Sequence, residues 1–294
     1  MIAHGRHDVG HAGSVLSTSA LRVLGRDDLD EADAFLARDP VANVFIASRV
    51  QAARDHAWRL GGELWGYVKD GRLSALCYAG ANLVPAGDDP TALQAFADRA
   101  RRQGRRCSSM VGVSEPVENL WALLGTSWGP AREVRRDQPL LAIAHPPDVA
   151  PDEDVRQVRD EEFELILPAC IDMFTEEVGV SPMGNDGGAL YRARVKELVA
   201  SGRAFARIVN GKVLFKAEIG AASRQACQVQ GVWVHPEHRG TGLSAPGMSA
   251  VVTAAQESVA PTVSLYVNGH NEPARRAYEQ VGFEQVGRFT TILF

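Results

Sequence analysis

The sequence predicts an α/β (α+β) protein made of two tandem domains, each a mixed central sheet flanked by helices. The order of strands and helices predicted for residues 18–146 is repeated in residues 152–294, which indicates an internal duplication. Residues 145–151 lie between the halves and contain three prolines, a composition typical of a linker. A chain of 294 residues is also long enough for two domains.

In the first half, apolar periodicity predicts a strand, two helices, three strands, a helix, a strand, a helix and two short final strands. Asp70-Gly71 joins two of these strands, because this dipeptide favours the two-residue turn of a hairpin. The first helix can be capped by Asp27 or Asp28 and runs to about residue 36. The other predicted ranges are 20–24, 41–53, 63–69, 73–78, 81–84, 90–102, 107–113, 115–124 and two strands within 132–143.

The second half shows the same order, with a hairpin turn at Asn210-Gly211. Near its end, Asn271 can cap a helix, Pro273 suits the first turn and Gly282 suits the C-terminal end. The predicted ranges are 155–158, 161–178 (a helix interrupted by Pro168), 189–201, 204–209, 212–221, 229–234, 243–252, 262–267, 271–282, 284–287 and 290–294.

Composition excludes several classes of protein. A net charge of −5 gives no reason to expect nucleic acid as a partner. The four cysteines are widely separated without a CxxC pair, which indicates free thiols in a reducing compartment rather than disulfides or a zinc site. No apolar run approaches the roughly 18 residues that span a bilayer. Residues 1–17 lack the apolar core of a signal peptide, so we expect a disordered tail and a cytoplasmic protein without a membrane partner.

The segment Arg239-Gly240-Thr241-Gly242 follows a β-branched strand and precedes an apolar helical pattern. Backbone amides at a helix N-terminus, left uncovered by glycine, form a donor cluster that suits an anion such as a pyrophosphate. A strand-to-helix turn also needs glycine for geometry alone. On these four residues, both interpretations stay open.

Two motifs resemble the GNAT superfamily of acyl-CoA-dependent N-acetyltransferases. The first is Arg239-x-x-Gly242-x-Ser244 after Val-x-Val-His-Pro-Glu, with Ser244 where the family has Gly or Ala. The second is Asn271-x-x-Ala-x-x-x-Tyr278-x-x-x-Gly-Phe. Their order and spacing extend the resemblance over residues 155–294. The residues around the two motifs are most similar to the branch that includes glycine N-acyltransferase-like proteins. The first half resembles the degenerate N-terminal half of tandem GNAT proteins.

The resemblance implies an N-acetyltransferase that uses acetyl-CoA as cosubstrate. Tyr278 would protonate the departing thiolate, although a packing role is the alternative reading of a tyrosine on an amphipathic helix. Asn271 belongs to the implied cofactor site, as do the strand that pairs with the pantetheine arm and the loop that holds the pyrophosphate. These strand and loop residues are Val232, Trp233, Val234, Arg239, Gly240, Thr241, Gly242, Leu243 and Ser244.

The base that would deprotonate the amine is open. Where relatives often carry a carboxylate, this chain has Gln228, Gln230 and Tyr266. Glu218 is the preferred candidate, because a charged residue on an otherwise apolar strand is unusual unless it has a function. Other candidates, each also compatible with an ordinary surface role, are Glu176, Glu177 and His235; an amine that arrives unprotonated needs no base.

The acceptor is predicted only as a small-molecule or peptide amine. Acidic residues in 176–185 favour a cationic one. A non-catalytic acyl-CoA-binding or regulatory protein is the alternative function, and homodimer formation is also open. The first half has Gly87-Asp88-Asp89 where a pyrophosphate loop would lie, so we expect it not to bind acyl-CoA.

Overall fold

The computed structural model describes residues 20–184 and 187–294; the predicted tail, 1–17, lies outside the described residues. The first half of the described chain forms six strands and four helices. The strands are β1 (Ala20–Val23), β2 (Gly62–Lys69), β3 (Arg72–Gly80), β4 (Asn82–Ala86), β5 (Ser109–Val113) and β6 (Glu133–Ile143). The helices are α1 (Leu29–Leu36), α2 (Val44–Asp55), α3 (Pro90–Gln103) and α4 (Ser114–Trp128).

The second half repeats this content. Its strands are β7 (Val155–Gln157), β8 (Ala204–Val209), β9 (Lys212–Ala222), β10 (Ala226–Val234), β11 (Thr262–Tyr266) and β12 (Glu284–Leu293). Its helices are α5 (Phe163–Val178), α6 (Ala189–Ala200), α7 (Ser244–Ser258) and α8 (Glu272–Val281). The mixed α/β architecture with two similar halves is therefore confirmed.

All twelve strands of the described chain join one sheet, in the order β1-β2-β3-β4-β5-β12-β6-β11-β10-β9-β8-β7. Neighbours are antiparallel except β4–β5 and β10–β11, which are parallel. The two halves exchange their final strands. β12 pairs with β5 of the first half, and β6 pairs with β11 of the second, so each half-sheet is completed by a strand of the other.

The exchanged strands are where the sequence prediction was wrong. Each of 132–143 and 284–294 was predicted as two short strands, but each is one long strand with irregular register. The cause of the error is a strand breaker in the middle of each, Pro139 and Gly287. In the sheet, Pro139 lies opposite Arg288 and Gly287 opposite Leu140, so the two breakers meet at one irregular point of the β6–β12 ladder.

Pro168 was expected to interrupt its helix, and this too was wrong, because α5 continues from Phe163 to Val178. Proline removes one backbone hydrogen bond from a helix. Neighbouring Ile166, Leu167 and Cys170 are buried against the sheet, and this packing holds the helix together across the missing bond.

Helices cover both faces of the sheet. In the second half, α7 and α8 pack on one face around Phe215 and Met248, and α5 and α6 pack on the other around Leu167 and Leu198. In the first half, one apolar cluster holds α1 and α2, and another holds α3 and α4. The latter cluster includes Ile292 of β12, so the exchanged strand contributes to the core as well as to the ladder.

Candidate active site

The strands β10 and β11 separate in the middle of the second half-sheet. Their parallel pairing covers only Ala226–Gln228 of β10 and Thr262–Ser264 of β11. β10 then continues to Val234 along β9, and in the described chain its other edge, from 229 onward, has no strand partner. This open edge contains Val232, Trp233 and Val234, and an extended ligand can hydrogen-bond to it as an added strand.

A β-bulge bends β10 at the point of separation. Gln230 pairs with Glu218 of β9, and Trp233 pairs with Lys216. Two residues of β10 therefore lie opposite one residue of β9 between these pairs. Gly231 occupies the bulge with φ of +60°, and a Cβ there would lie 3.0 Å from Met173 Cε and 3.2 Å from Lys216 Nζ and Glu218 Oε2. Glycine is therefore needed at this position both for its backbone conformation and for space.

The loop after β10 presents a row of free donors. The backbone amides of residues 240–245 donate to no acceptor among the described residues, and no side chain caps α7. Gly240 and Gly242 have φ of +74° and +85°, and the space where their Cβ atoms would lie is open. Six consecutive unsatisfied amides at a helix N-terminus form a site for an anion. This arrangement includes the predicted residues Thr241, Leu243 and Ser244.

Arg239 does not point freely into that site. Its Nη2 donates to both carboxylate oxygens of Glu176, at 3.0 and 2.7 Å, and its Nε donates to the carbonyl of Val234 at 3.1 Å. Trp233 Nε1 also donates to Glu176, at 3.4 Å. The end of α5 thus contacts the start of the loop, and an anion bound there would compete with Glu176 for Arg239.

Tyr278 combines a buried ring with an accessible hydroxyl. The residue is 6% exposed and packs edge-on against Phe283 within the core of α7 and α8. Its hydroxyl makes no hydrogen bond with the described residues and is not among their fully buried unpartnered atoms, so it reaches accessible space. Burial, with a further contribution from Glu177, raises the pKa of Tyr278, so the phenol stays protonated at neutral pH.

Asn271 caps α8, as the sequence predicted. Its Oδ1 accepts from the amide of Ala274 at 3.3 Å, and Pro273 lies in the first turn. Gly282 ends the helix with φ of +103°. The side-chain amide nitrogen of Asn271 keeps its donors for a ligand, because no described residue accepts from it.

The structure places Glu218 in a buried ion pair. Glu218 is 5% exposed, and its Oε1 accepts from Lys216 Nζ at 2.6 Å and from the thiol of Cys170 at 3.5 Å. Lys216 is 1% exposed; burial opposes its charge, but Glu218 outweighs burial and the pKa of Lys216 is raised. The carboxylate of Glu218 is therefore buried and already engaged by two donors, and an incoming amine would have to displace them. The sequence reading of Glu218 missed its partner, although Lys216 lies two residues away and so on the same face of the strand.

Glu177 and Arg135 form a contact that the sequence reading missed. Arg135 of β6 donates from Nη1 to Glu177 Oε1 at 2.9 Å and from Nη2 to the Glu177 carbonyl at 2.7 Å. Asn268, just after β11, donates to the same Oε1 at 3.5 Å. Arg135 was assigned to the first half, and nothing local in the sequence indicates that its strand crosses into the second half-sheet.

The other predicted groups are engaged locally. His235 Nδ1 accepts from the amide of Glu237 at 3.3 Å, which leaves it poorly placed as a base. His235, Glu237 and His238 bring three potential metal-ligand atoms within 4.8 Å of one another. Lys212 Nζ lies 2.5 Å from Glu237, however, and its ammonium opposes a cation there. Tyr266 stands on β11 beyond the separation and packs against Phe289.

The equivalent place in the first half is filled by the protein itself. β4 and β5 also pair only at their beginnings, at Asn82–Ser109 and Leu83–Met110. At the start of the following helix, α3, Asp89 accepts from the amides of Thr91 and Ala92 at 2.8 and 3.3 Å, and these hydrogen bonds help to lower its pKa. A side-chain carboxylate therefore occupies the donors that are free at α7.

Comparison with protein families agrees with this geometry. Residues 186–283, which contain the open edge, the loop and Tyr278, match the model of the Acetyltransferase (GNAT) family. By sequence, it is this region, 186–283, that is similar to the GNAT family. Residues 62–166 match the model of a domain of unknown function, DUF4081. No curated protein sequence matches the chain.

Several solved structures are similar to this chain over nearly its whole length, and one of them is a tandem GNAT protein. A tandem GNAT protein from the clavulanic acid biosynthesis pathway is 14% identical, with a TM-score of 0.55 and coverage of 94% of this chain and 98% of that one. A GCN5-related N-acetyltransferase from Sphaerobacter thermophilus is 15% identical, with a TM-score of 0.57 and coverage of 93% and 94%. A Drosophila protein reaches a TM-score of 0.62 at 13% identity, covering 93% and 98%. At these identities the similarity shows the fold.

Two further findings bear on the compositional predictions. The four cysteines, Cys77, Cys107, Cys170 and Cys227, are free, and burial raises the pKa of each thiol. Within 20–184 and 187–294, none of the helices has the length and apolar character needed to cross a membrane. The branch that includes glycine N-acyltransferase-like proteins stays a prediction.

Proposed function

We propose that the protein is an N-acetyltransferase that moves the acetyl group of acetyl-CoA to a primary amine of a small molecule or peptide. The observation that carries this proposal is the row of six free amides, 240–245, directly after the open edge of β10. A pyrophosphate needs such donors, and a pantetheine arm, with its two amide groups, can pair with an exposed strand edge. Tyr278 presents its hydroxyl to accessible space on the helix that follows β11.

In this reaction the amine nitrogen attacks the thioester carbon, the C–S bond breaks, and the amine loses a proton. The sulfur leaves as a thiolate, which Tyr278 can stabilise as its hydroxyl donates a hydrogen bond. The raised pKa of Tyr278 keeps the proton available but also makes the phenol a weak acid, so water completes protonation of the thiol. We propose one acetyl-CoA per chain, since Asp89 already occupies the donors of the first half.

The experiment is a panel of primary amines with acetyl-CoA, read out by release of free thiol. In the presence of an accepted amine, Tyr278→Phe should lower kcat about 100-fold and leave acetyl-CoA affinity nearly unchanged, because only the hydroxyl is lost. Tyr67→Phe is the matched control, since Tyr67 is also buried but lies in the first half. Normal kcat in the Tyr278→Phe variant would exclude any role of the hydroxyl in the departure of the thiolate and leave Tyr278 as a packing residue.

A non-catalytic acyl-CoA-binding protein is the second candidate, favoured by the ion pair that engages Glu218. A sensor of this kind binds acetyl-CoA with the same 1:1 stoichiometry and releases no thiol with any amine. Calorimetry and the thiol assay on the same preparation therefore separate the two functions.

We also propose that the protein is located in the cytoplasm.

A further inference from the structure

The first half of the chain supplies a side chain to the site of the second. We infer that Arg135, on the exchanged strand β6, positions Glu177 so that its free carboxylate oxygen contacts the acceptor amine. This inference rests on the proposed acetyltransferase function. It gives the first half a task at the site even though its own anion site is occupied by Asp89.

The contact between Arg135 and Glu177 fixes both the carboxylate and the backbone of the α5 terminus. Arg135 is anchored from behind by Glu133, whose two oxygens accept at 2.8 and 3.0 Å. The guanidinium side chain is 14% exposed, against 53% for Glu177. A planar, doubly anchored guanidinium holds a partner in one orientation better than a flexible ammonium does.

A second set of hydrogen bonds approaches Glu177 from the other side. Asn268 donates to Glu177 Oε1, while its own Oδ1 accepts from Gln138 at 2.9 Å. Gln138 is 2% exposed and accepts from Thr291 of β12 at 2.7 Å. Side chains of both exchanged strands, Gln138 of β6 and Thr291 of β12, therefore support Asn268, which donates to Glu177. These bonds all engage Oε1, so Oε2 has no donor among the described residues and is available to a ligand.

Of the three carboxylates proposed as bases, Glu177 combines an exposed side chain with an oxygen that has no donor among the described residues. Glu176 is bound to Arg239, Glu218 to Lys216, and His235 to the amide of Glu237. Burial is the main cause of the raised pKa of Tyr278 and of Tyr266, and the negative charge of Glu177 adds to it in both cases. Asn268, which lies just after β11, donates to Glu177, and Tyr278 lies on the helix after β11. Glu177 Oε2 can therefore accept a hydrogen bond from the acceptor amine while the hydroxyl of Tyr278 stabilises the departing sulfur.

The test uses the full chain and an amine accepted by the wild type. Arg135→Ala and Glu177→Gln should each raise the KM for the amine about 10-fold or more, with acetyl-CoA affinity changed less than 2-fold. Arg135→Lys should fall between wild type and Arg135→Ala. Arg136→Ala is the matched control, because Arg136 is the next residue, is exposed, and its side chain makes no hydrogen bond or ion pair with the described residues. This variant should behave as wild type.

The double variant Arg135→Ala/Glu177→Gln decides whether the two residues act as one unit. If Arg135 acts through Glu177, the double variant should be no worse than the worse single variant. Multiplied effects, or a normal amine KM in Arg135→Ala, would overturn the inference while leaving the acetyltransferase function intact.

Absence of thiol release with every amine would instead contradict the proposed function. In that case a crystal structure of Arg135→Ala decides the positioning role by itself. We expect the carboxylate of Glu177 to leave Asn268 in that variant, and an unmoved carboxylate would refute the role of Arg135.

Discussion

Removing Lys216 tests the buried ion pair under the β10 bulge. Lys216→Met keeps the length of the side chain but leaves Glu218 buried without its ammonium partner. Breaking a buried pair in this way costs about 3–5 kcal/mol. At about 2–4 °C per kcal/mol for a chain of this size class, the melting temperature should fall by roughly 6–20 °C.

Removing both charges should behave differently. The double variant Lys216→Met/Glu218→Leu leaves no unpaired charge and places two apolar side chains beside Met173 and Cys170. Replacing a whole buried pair by apolar residues of similar volume is often neutral or stabilising. We therefore expect a melting temperature within a few degrees of the wild type. Differential scanning calorimetry of the two variants measures both effects.

The pH dependence of the single variant provides a further check. Since the pKa of Lys216 is raised above its ordinary 10.5, the stabilising contribution of its ammonium is fully present below that pH and is lost only as pH rises through the higher folded value. In a comparison of the wild type with Lys216→Met, loss of the Lys216 ammonium should therefore itself add no pH dependence between pH 7 and 9. A double variant as unstable as Lys216→Met would refute the reasoning, because the cost would then arise from packing rather than from the orphaned charge.

Three further predictions concern the cofactor site and the exchanged strands. Gly242→Asp should weaken acetyl-CoA binding at least ~10-fold by calorimetry, because a carboxylate would face the pyrophosphate. Gly71→Asp, at φ of +75° in the β2–β3 hairpin of the first half, is the control and should bind normally; equal affinity in both variants would exclude the loop from the cofactor site. Glu176→Gln should strengthen acetyl-CoA binding by up to about 5-fold, because loss of the ion pair frees Arg239 and an exposed pair of this kind contributes about 1 kcal/mol at most. Weaker binding would show that Glu176 supports the loop. A chain restricted to 152–294 should fail to fold as a monomer, because β11 would lose β6, and β12 would lose both of its neighbours. Circular dichroism and gel filtration test this, and a soluble folded fragment would show that the strand exchange is not needed for folding.

Much of the site was predictable because its signals are local. The hairpin turns at Asp70-Gly71 and Asn210-Gly211 have the positive φ angles that such dipeptides favour. Asn271 caps α8, and the glycines at 240 and 242 take left-handed conformations at the start of α7. Each of these depends on the preferences of a few adjacent residues. Asp89 was predicted only as a negative charge that opposes an anion, and the structure adds that it caps α3.

What the sequence by itself determined is therefore the class of the fold, most of its elements in order, and the loop and helix that match the GNAT family. Only the tertiary structure decided which strands are neighbours, and with them that Arg135 reaches Glu177, Lys216 holds Glu218, and Glu176 engages Arg239. The physical reason is the sequence separation over which each kind of interaction acts. Turn, cap and periodicity signals act within a few residues, whereas β6 and β12 are placed by pairing across more than a hundred residues, and a long exchanged strand looks locally like any other strand with a breaker in its middle.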